Sequence, residues 1–158
     1  MVREVLLIGD PRLYGKSEQV SFDELPQVSE IVTDLHDTLM DFRSKTGLGR
    51  AIAAPQIGVP KRLIYMHITE PVVFINPELN SVGPAMFELQ DDCLSFPGLF
   101  VKVRRYKKAV IKYKDMDWND CQRVLENDLS ELLQHECDHL DGILATMRAV
   151  DNKSFFMR

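Results

Sequence analysis

Residues 132–142 read LLQHECDHLDG, with His135, Glu136 and His139 forming an H-E-x-x-H motif near the end of the chain. An α-helix turns about 100° per residue, so two histidines four apart stand about 40° apart around the axis and one turn apart along it. Both imidazoles then face one side and reach one ion. Glu136 is rotated about 100° from His135, which suits a base flanking the ion better than a ligand. The spacing predicts a helix over 128–140, with Asn127 or Asp128 at its N-cap. Only four histidines occur in the chain, and two of them stand in this spacing around a glutamate.

A metal held by two imidazoles needs a third protein donor. The 19 residues after His139 contain no His, Cys or Glu, so the donor must lie upstream. His36 falls inside an apolar helix pattern and His67 ends a short apolar run. Cys137 is out of phase, about 200° from His135, and reads as a small core residue. Cys121 begins a strand and carries no motif. Cys93 differs, because it lies in Asp91-Asp92-Cys93-Leu94-Ser95-Phe96-Pro97-Gly98, a strand end running into a turn. Turns on a rigid frame are where functional groups are presented. One thiolate and two imidazoles leave an open position on a tetrahedral ion. Cys93, His135 and His139 are therefore the expected ligands.

The rest of the chain sets the frame. At 158 residues it reads as a single domain, 1–158, with one sizeable core. A hydrophobic fraction of 45% and a charged fraction of 27% are those of a globular chain, and a net charge of −5 offers no nucleic-acid footprint. The basic cluster Lys102, Arg104, Arg105, Lys107 and Lys108 reads as a solvated strand face. No apolar run reaches the ~18 residues of a membrane span, and no signal-peptide core is visible at the start. The three cysteines are an odd number, which points to a reducing, cytoplasmic setting.

Leu25, Val28, Ile31, Val32, Leu35, Leu39 and Phe42 form an amphipathic stripe that predicts a helix over 25–44. Ser21 or Asp23 is its expected cap, and Gly47 its exit. Between 51 and 126 come short β-rich runs at 62–67, 72–75, 100–103, 109–113 and 121–125, with a hairpin loop at 114–120. Helix, antiparallel strands, helix is an α+β order, not a βαβ alternation.

Three segments together resemble the peptide deformylases. Gly49 to Gly58 (GRAIAAPQIG) matches a motif of form G-x-G-Φ-A-A-x-Q-x-G, Φ being apolar. Asp91 to Ser95 (DDCLS) matches E-G-C-L-S, and Gln134 to Gly142 completes Q-H-E-x-D-H-L-x-G. Gly9 to Leu13 and Asn76-Pro77 also look like that family. The resemblance implies antiparallel sheets around a central helix bearing H-E-x-x-H. It implies hydrolysis of the N-formyl group from formylmethionine of nascent polypeptides, releasing formate. One divalent ion, Fe(II) in first place, with Zn, Ni or Co able to replace it, is implied as cofactor. A transient ribosome contact is implied too, although the tail 152–158 is short for a ribosome-binding helix. In such an enzyme Glu136 moves the proton, and Gln56 and the Leu94 N–H stabilise the oxyanion.

The departures gather at the substrate. Ala51 and Asp92 stand where the motifs have glycine, so side chains there are expected to crowd or reorient the peptide beside Gly49. The resemblance implies an apolar methionine pocket lined by two positions that are here Arg50 and Glu131. A lone buried charge is costly, so these two either pair across the pocket or shift until both reach water. They raise an alternative, an amidase of the same fold acting on another formylated or acylated amine. A metalloendopeptidase is a poorer fit without a downstream ligand. A non-catalytic metal-binding protein would need neither Glu136 nor Gln56.

Overall fold

The computed structural model describes residues 1–158. Helix α1 spans Leu25–Thr46 and α2 spans Asp128–Leu140. The strands are β1 (Ala51–Ala53), β2 (Leu63–His67), β3 (Pro71–Ser81), β4 (Met86–Asp91), β5 (Leu99–Tyr106), β6 (Lys108–Lys114), β7 (Asp120–Glu126) and β8 (Phe155–Met157). They form two antiparallel sheets, a five-stranded one in the order β1-β2-β3-β6-β7 and a three-stranded one in the order β4-β5-β8. The α+β order expected from the sequence is the one observed. No helix is long and apolar enough to cross a membrane.

Strands β1 and β2 are buried on both faces, and their alternation explains why. Ala51, Ala53, Ile64 and Met66 point to α2, where Leu132, Leu133 and Leu140 complete the cluster. Ile52, Leu63 and Tyr65 point the other way, onto Val28, Leu35 and Leu39 of α1. Val101 and Val103 of β5 make a smaller core with Cys93, Phe96 and Ala145. Burying each Val, Leu, Ile, Phe or Met among them contributes roughly 1.5–3 kcal/mol.

Local signals differ in how well they foretell the ends. Gly47 leaves α1 in the left-handed region (φ 73°), and its N–H donates to the Arg43 carbonyl at 2.8 Å, as expected. Neither Ser21 nor Asp23 caps α1. Ser21 instead opens a 3-10 turn over Phe22–Glu24, its N–H donating to the Glu24 carboxylate at 2.7 Å. Asn127 occupies the N-cap position of α2 but makes no side-chain cap bond; its φ of 51° spends the residue on turning the chain out of β7. Asn76 ties β3 to the N-terminal segment, accepting from the Val20 N–H and donating to its carbonyl, both at 2.8 Å. Within the tail, Phe155–Met157 forms β8, paired with β5.

Candidate metal centre

Helix α2 runs between the two sheets, so its motif is buried on every side: His135, Glu136 and His139 are each at most 5% exposed. Gln134 fixes its rotation. Its side-chain amide imitates a strand edge, accepting from the Tyr106 N–H at 3.0 Å and donating to the Tyr106 carbonyl at 2.8 Å. The Nε2 atoms of His135 and His139 then lie 3.2 Å apart. Beyond β4 the chain bends through a turn that brings Cys93 Sγ to 3.3 Å from His139 Nε2. All three donor atoms fall within 4.8 Å of one another, the grouping the spacing argument anticipated.

The donor chemistry fits a divalent ion of borderline softness: one sulfur and two imidazole nitrogens, converging on buried side chains. His135 Nδ1 is bonded to Asp91 Oδ2 at 2.8 Å, which turns Nε2 toward the trio. Burial opposes a charge on His135, but Asp91 and Cys93 outweigh it and hold its pKa well above the usual range, so an ion binding at Nε2 would displace a proton. Burial and the neighbouring His135 push His139 well below it, so His139 carries the neutral lone pair a ligand needs. Glu136 is raised to about 7 by burial, and its Oε2 has no hydrogen-bond partner. A carboxyl poised near neutrality can both take and return a proton.

Asp91 is itself held by Arg105, at 3.1 Å, and Arg105 reaches on to Asp138 of α2 at 2.7 Å. Arg105 is 3% exposed, so the expectation of a solvated basic face fails there. The alternation Val101, Val103, Arg105 places it on the inward face of β5, a signal present in the sequence and masked by the surrounding charges. Asp91 as the anchor of His135 was likewise not anticipated; only its position two residues before Cys93 pointed to it.

The discarded donors stay out of the trio. His36 Nδ1 meets the Tyr65 hydroxyl at 2.6 Å, and the His67 ring packs beside His36 at 5.7 Å. Cys137 packs against the α2 core, its thiol pushed up to about 12 by burial. Cys121 lies 3.6 Å from Asp115 in the β6–β7 turn.

A cavity of about 380 Å³ opens on the trio, and its wall includes Gly49, Arg50, Ala51, Gln56, Asp92, Leu94 and Glu136. Gln56 stands in a 3-10 turn, Ala54–Ile57. Its Oε1 accepts from Ala53 at 2.9 Å, and its Nε2 donates to Cys93 Sγ at 3.4 Å and Ser95 Oγ at 3.1 Å. The Leu94 N–H donates to no backbone carbonyl. Gly49 has φ 110°, and a Cβ there would lie 3.2 Å from Leu39 and 3.3 Å from Phe42. Arg43, at the end of α1, clamps this loop by donating to the Gly49 carbonyl at 2.8 Å and to that of His67. Arg50 and Glu131 pair at 2.6 Å, so the first of the two outcomes weighed for them is the one observed.

A buried H-E-x-x-H helix, a converging turn thiolate and an open cavity define a metal-dependent hydrolase. The family model described as polypeptide deformylase matches residues 2–155, and the chain belongs to that family. The peptide deformylase of Dictyoglomus thermophilum is 37% identical, over 96% of this chain and 95% of its own. Peptide deformylase 1 of Prochlorococcus marinus is 35% identical, over 98% of this chain and 84% of its own. The crystal structure of peptide deformylase from Thermotoga maritima superposes with a TM-score of 0.87 at 28% identity, covering 96% of this chain and 99% of that one.

Proposed function

We propose that this chain hydrolyses the N-formyl group of formylmethionine on nascent polypeptides, releasing formate and a free amino terminus. The observation that carries the reading is the convergence of three metal donors beside the buried Glu136, whose Oε2 has no hydrogen-bond partner. Cys93, His135 and His139 would hold the ion. Family membership puts Fe(II) first, with Zn, Ni or Co admissible, and the soft sulfur helps retain either Fe(II) or Zn. When bound, the ion acts as a Lewis acid, polarising a carbonyl and lowering the pKa of water toward ~7.

The protein's own groups do the rest. Glu136 takes a proton from the attacking water and passes it to the departing amine, so the formyl C–N bond breaks as formate leaves. The Leu94 N–H is a free donor at the place where negative charge develops. Gln56 Nε2, now on Cys93 Sγ, turns one proton to the same oxygen. Asp91 keeps the His135 ring from rotating. Gly49, Arg50 and Ala51 form the edge along which the peptide lies, and Glu131 stands behind it. The reading includes a cytoplasmic setting, a transient encounter with the ribosome and no recognition of nucleic acid.

Glu136→Gln tests it. Formate release from formyl-Met-Ala should fall about 10²- to 10⁴-fold while elemental analysis still finds one ion per chain. Near-normal turnover would remove Glu136 from the reaction.

A further inference from the structure

The wall of the reaction cavity carries an ion pair that takes no part in the proton transfers or in holding the oxyanion. Arg50 Nη2 donates to Glu131 Oε1 at 2.6 Å, joining the loop before β1 to α2 one turn ahead of His135. The Glu131 side chain is 6% exposed and that of Arg50 is 41% exposed. Arg50 lines the cavity and Glu131 does not, so the guanidinium lies in front and the carboxylate behind it. Glu131 Oε2 has no partner, so the bond from Arg50 to Oε1 is the one hydrogen bond this carboxylate makes.

A guanidinium has five N–H donors, and Arg50 places a single bond within the protein. The other cavity guanidinium, Arg43, is already directed at the Gly49 and His67 carbonyls. Arg50 is thus the side chain with donors left for a ligand beside the trio. The charges around it decide which ligand. Glu131, Asp92 and Asp128 all act on Arg50, an excess of three carboxylates over its one guanidinium. A ligand carboxylate meets that excess, and a ligand cation meets the guanidinium first. An apolar side chain strips water from the free N–H groups without replacing it. A neutral acceptor satisfies them at no charge cost.

Resting on the deformylation reading, we propose that this cavity selects an N-formyl residue whose side chain ends in a neutral hydrogen-bond acceptor at about the reach of methionine. Methionine sulfoxide and glutamine have that chemistry. Methionine sulfoxide arises on a formylmethionyl terminus by oxidation of the thioether alone, with the oxygen supplied by an oxidant such as peroxide. The enzyme then acts preferentially on oxidised starts of nascent chains.

The test uses the metal-loaded protein and formate release from six peptides, formyl-X-Ala-Ser, with X as methionine, norleucine, methionine sulfoxide, glutamine, glutamate or lysine. The sulfoxide and glutamine peptides should exceed methionine and norleucine by about tenfold or more in kcat/KM, because a site built to hydrogen-bond discriminates against analogues lacking the partner. The double variant Arg50→Ile/Glu131→Ile, which leaves no unpaired charge, should reverse that order. Preference of the wild type for methionine or norleucine, or for glutamate or lysine, overturns the proposal. An unchanged order in a folded double variant overturns it as well, and the wild-type order decides alone should that variant not fold. Formate from none of the six peptides is a separate result, and it overturns the hydrolase reading itself.

Discussion

Gly142 decides how the site helix can end. It takes φ 74°, and a Cβ there would meet the Tyr14 carbonyl carbon at 2.6 Å and the Gly15 carbonyl oxygen at 2.9 Å. Both are backbone and cannot swing away. The glycine that closes the sequence motif is therefore a packing requirement, letting the chain turn back under the N-terminal segment while His139 stays in place. Gly142→Ala should cost at least about 2 kcal/mol, from left-handed strain plus overpacking, read as a lower urea midpoint. A change under about 0.5 kcal/mol, the range of an ordinary surface position, would show that the Tyr14 segment yields instead. At this scale much of the site was legible. His135, Glu136 and His139 follow from helical spacing, and Cys93 from its place on a turn. Asp91 was not legible, because its role depends on a ring nitrogen 44 positions away in sequence.

Elements with a full period of pattern were readable, and those without it were not. Helix α1 carries seven apolar positions at spacings of three and four, and it is observed two residues longer than expected. Strand β1 has three residues and β8 has three, too few to show alternation. Strand β4 alternates, with Phe87, Leu89 and Asp91 more buried than their neighbours, but its inward series ends on a carboxylate. Strand β5 hides its inward series in the same way with Arg105; the register sets Asp91 opposite Val101, and the Arg105 side chain reaches back to it. Arg105 thus joins β4, β5 and α2 through Asp91 and Asp138. Removing one partner of a buried ion pair strands the others, so Arg105→Leu should lose about 3 kcal/mol of stability. It should also weaken metal binding about 10- to 100-fold in a chelator competition, because Asp91 no longer holds His135 firmly. Unchanged metal affinity would mean that Asp91 positions the ring without help.

In the whole molecule, α2 is the seam. Its apolar residues pack on the five-stranded sheet, while Gln134 and Asp138 grip β5 of the smaller one. Cys93 belongs to the smaller sheet's core and the two histidines belong to the helix, so an ion on the trio fastens one layer to the other. Such a ligand binds the folded chain and not the separated layers, and at a hundred times its dissociation constant it contributes about 2.7 kcal/mol. For a domain of this size each kcal/mol moves the thermal midpoint by about 2–4 °C. Adding a chelator in excess should therefore lower Tm by about 5–10 °C in scanning calorimetry. Cys93→Ala, with two imidazoles left, should start from the lower value and show little further response. The difference between the two chains separates fastening by the ion from any general effect of the chelator on the protein. A wild-type Tm that ignores the chelator would mean that packing alone holds the layers, and that the trio is a site for catalysis without a share in the fold.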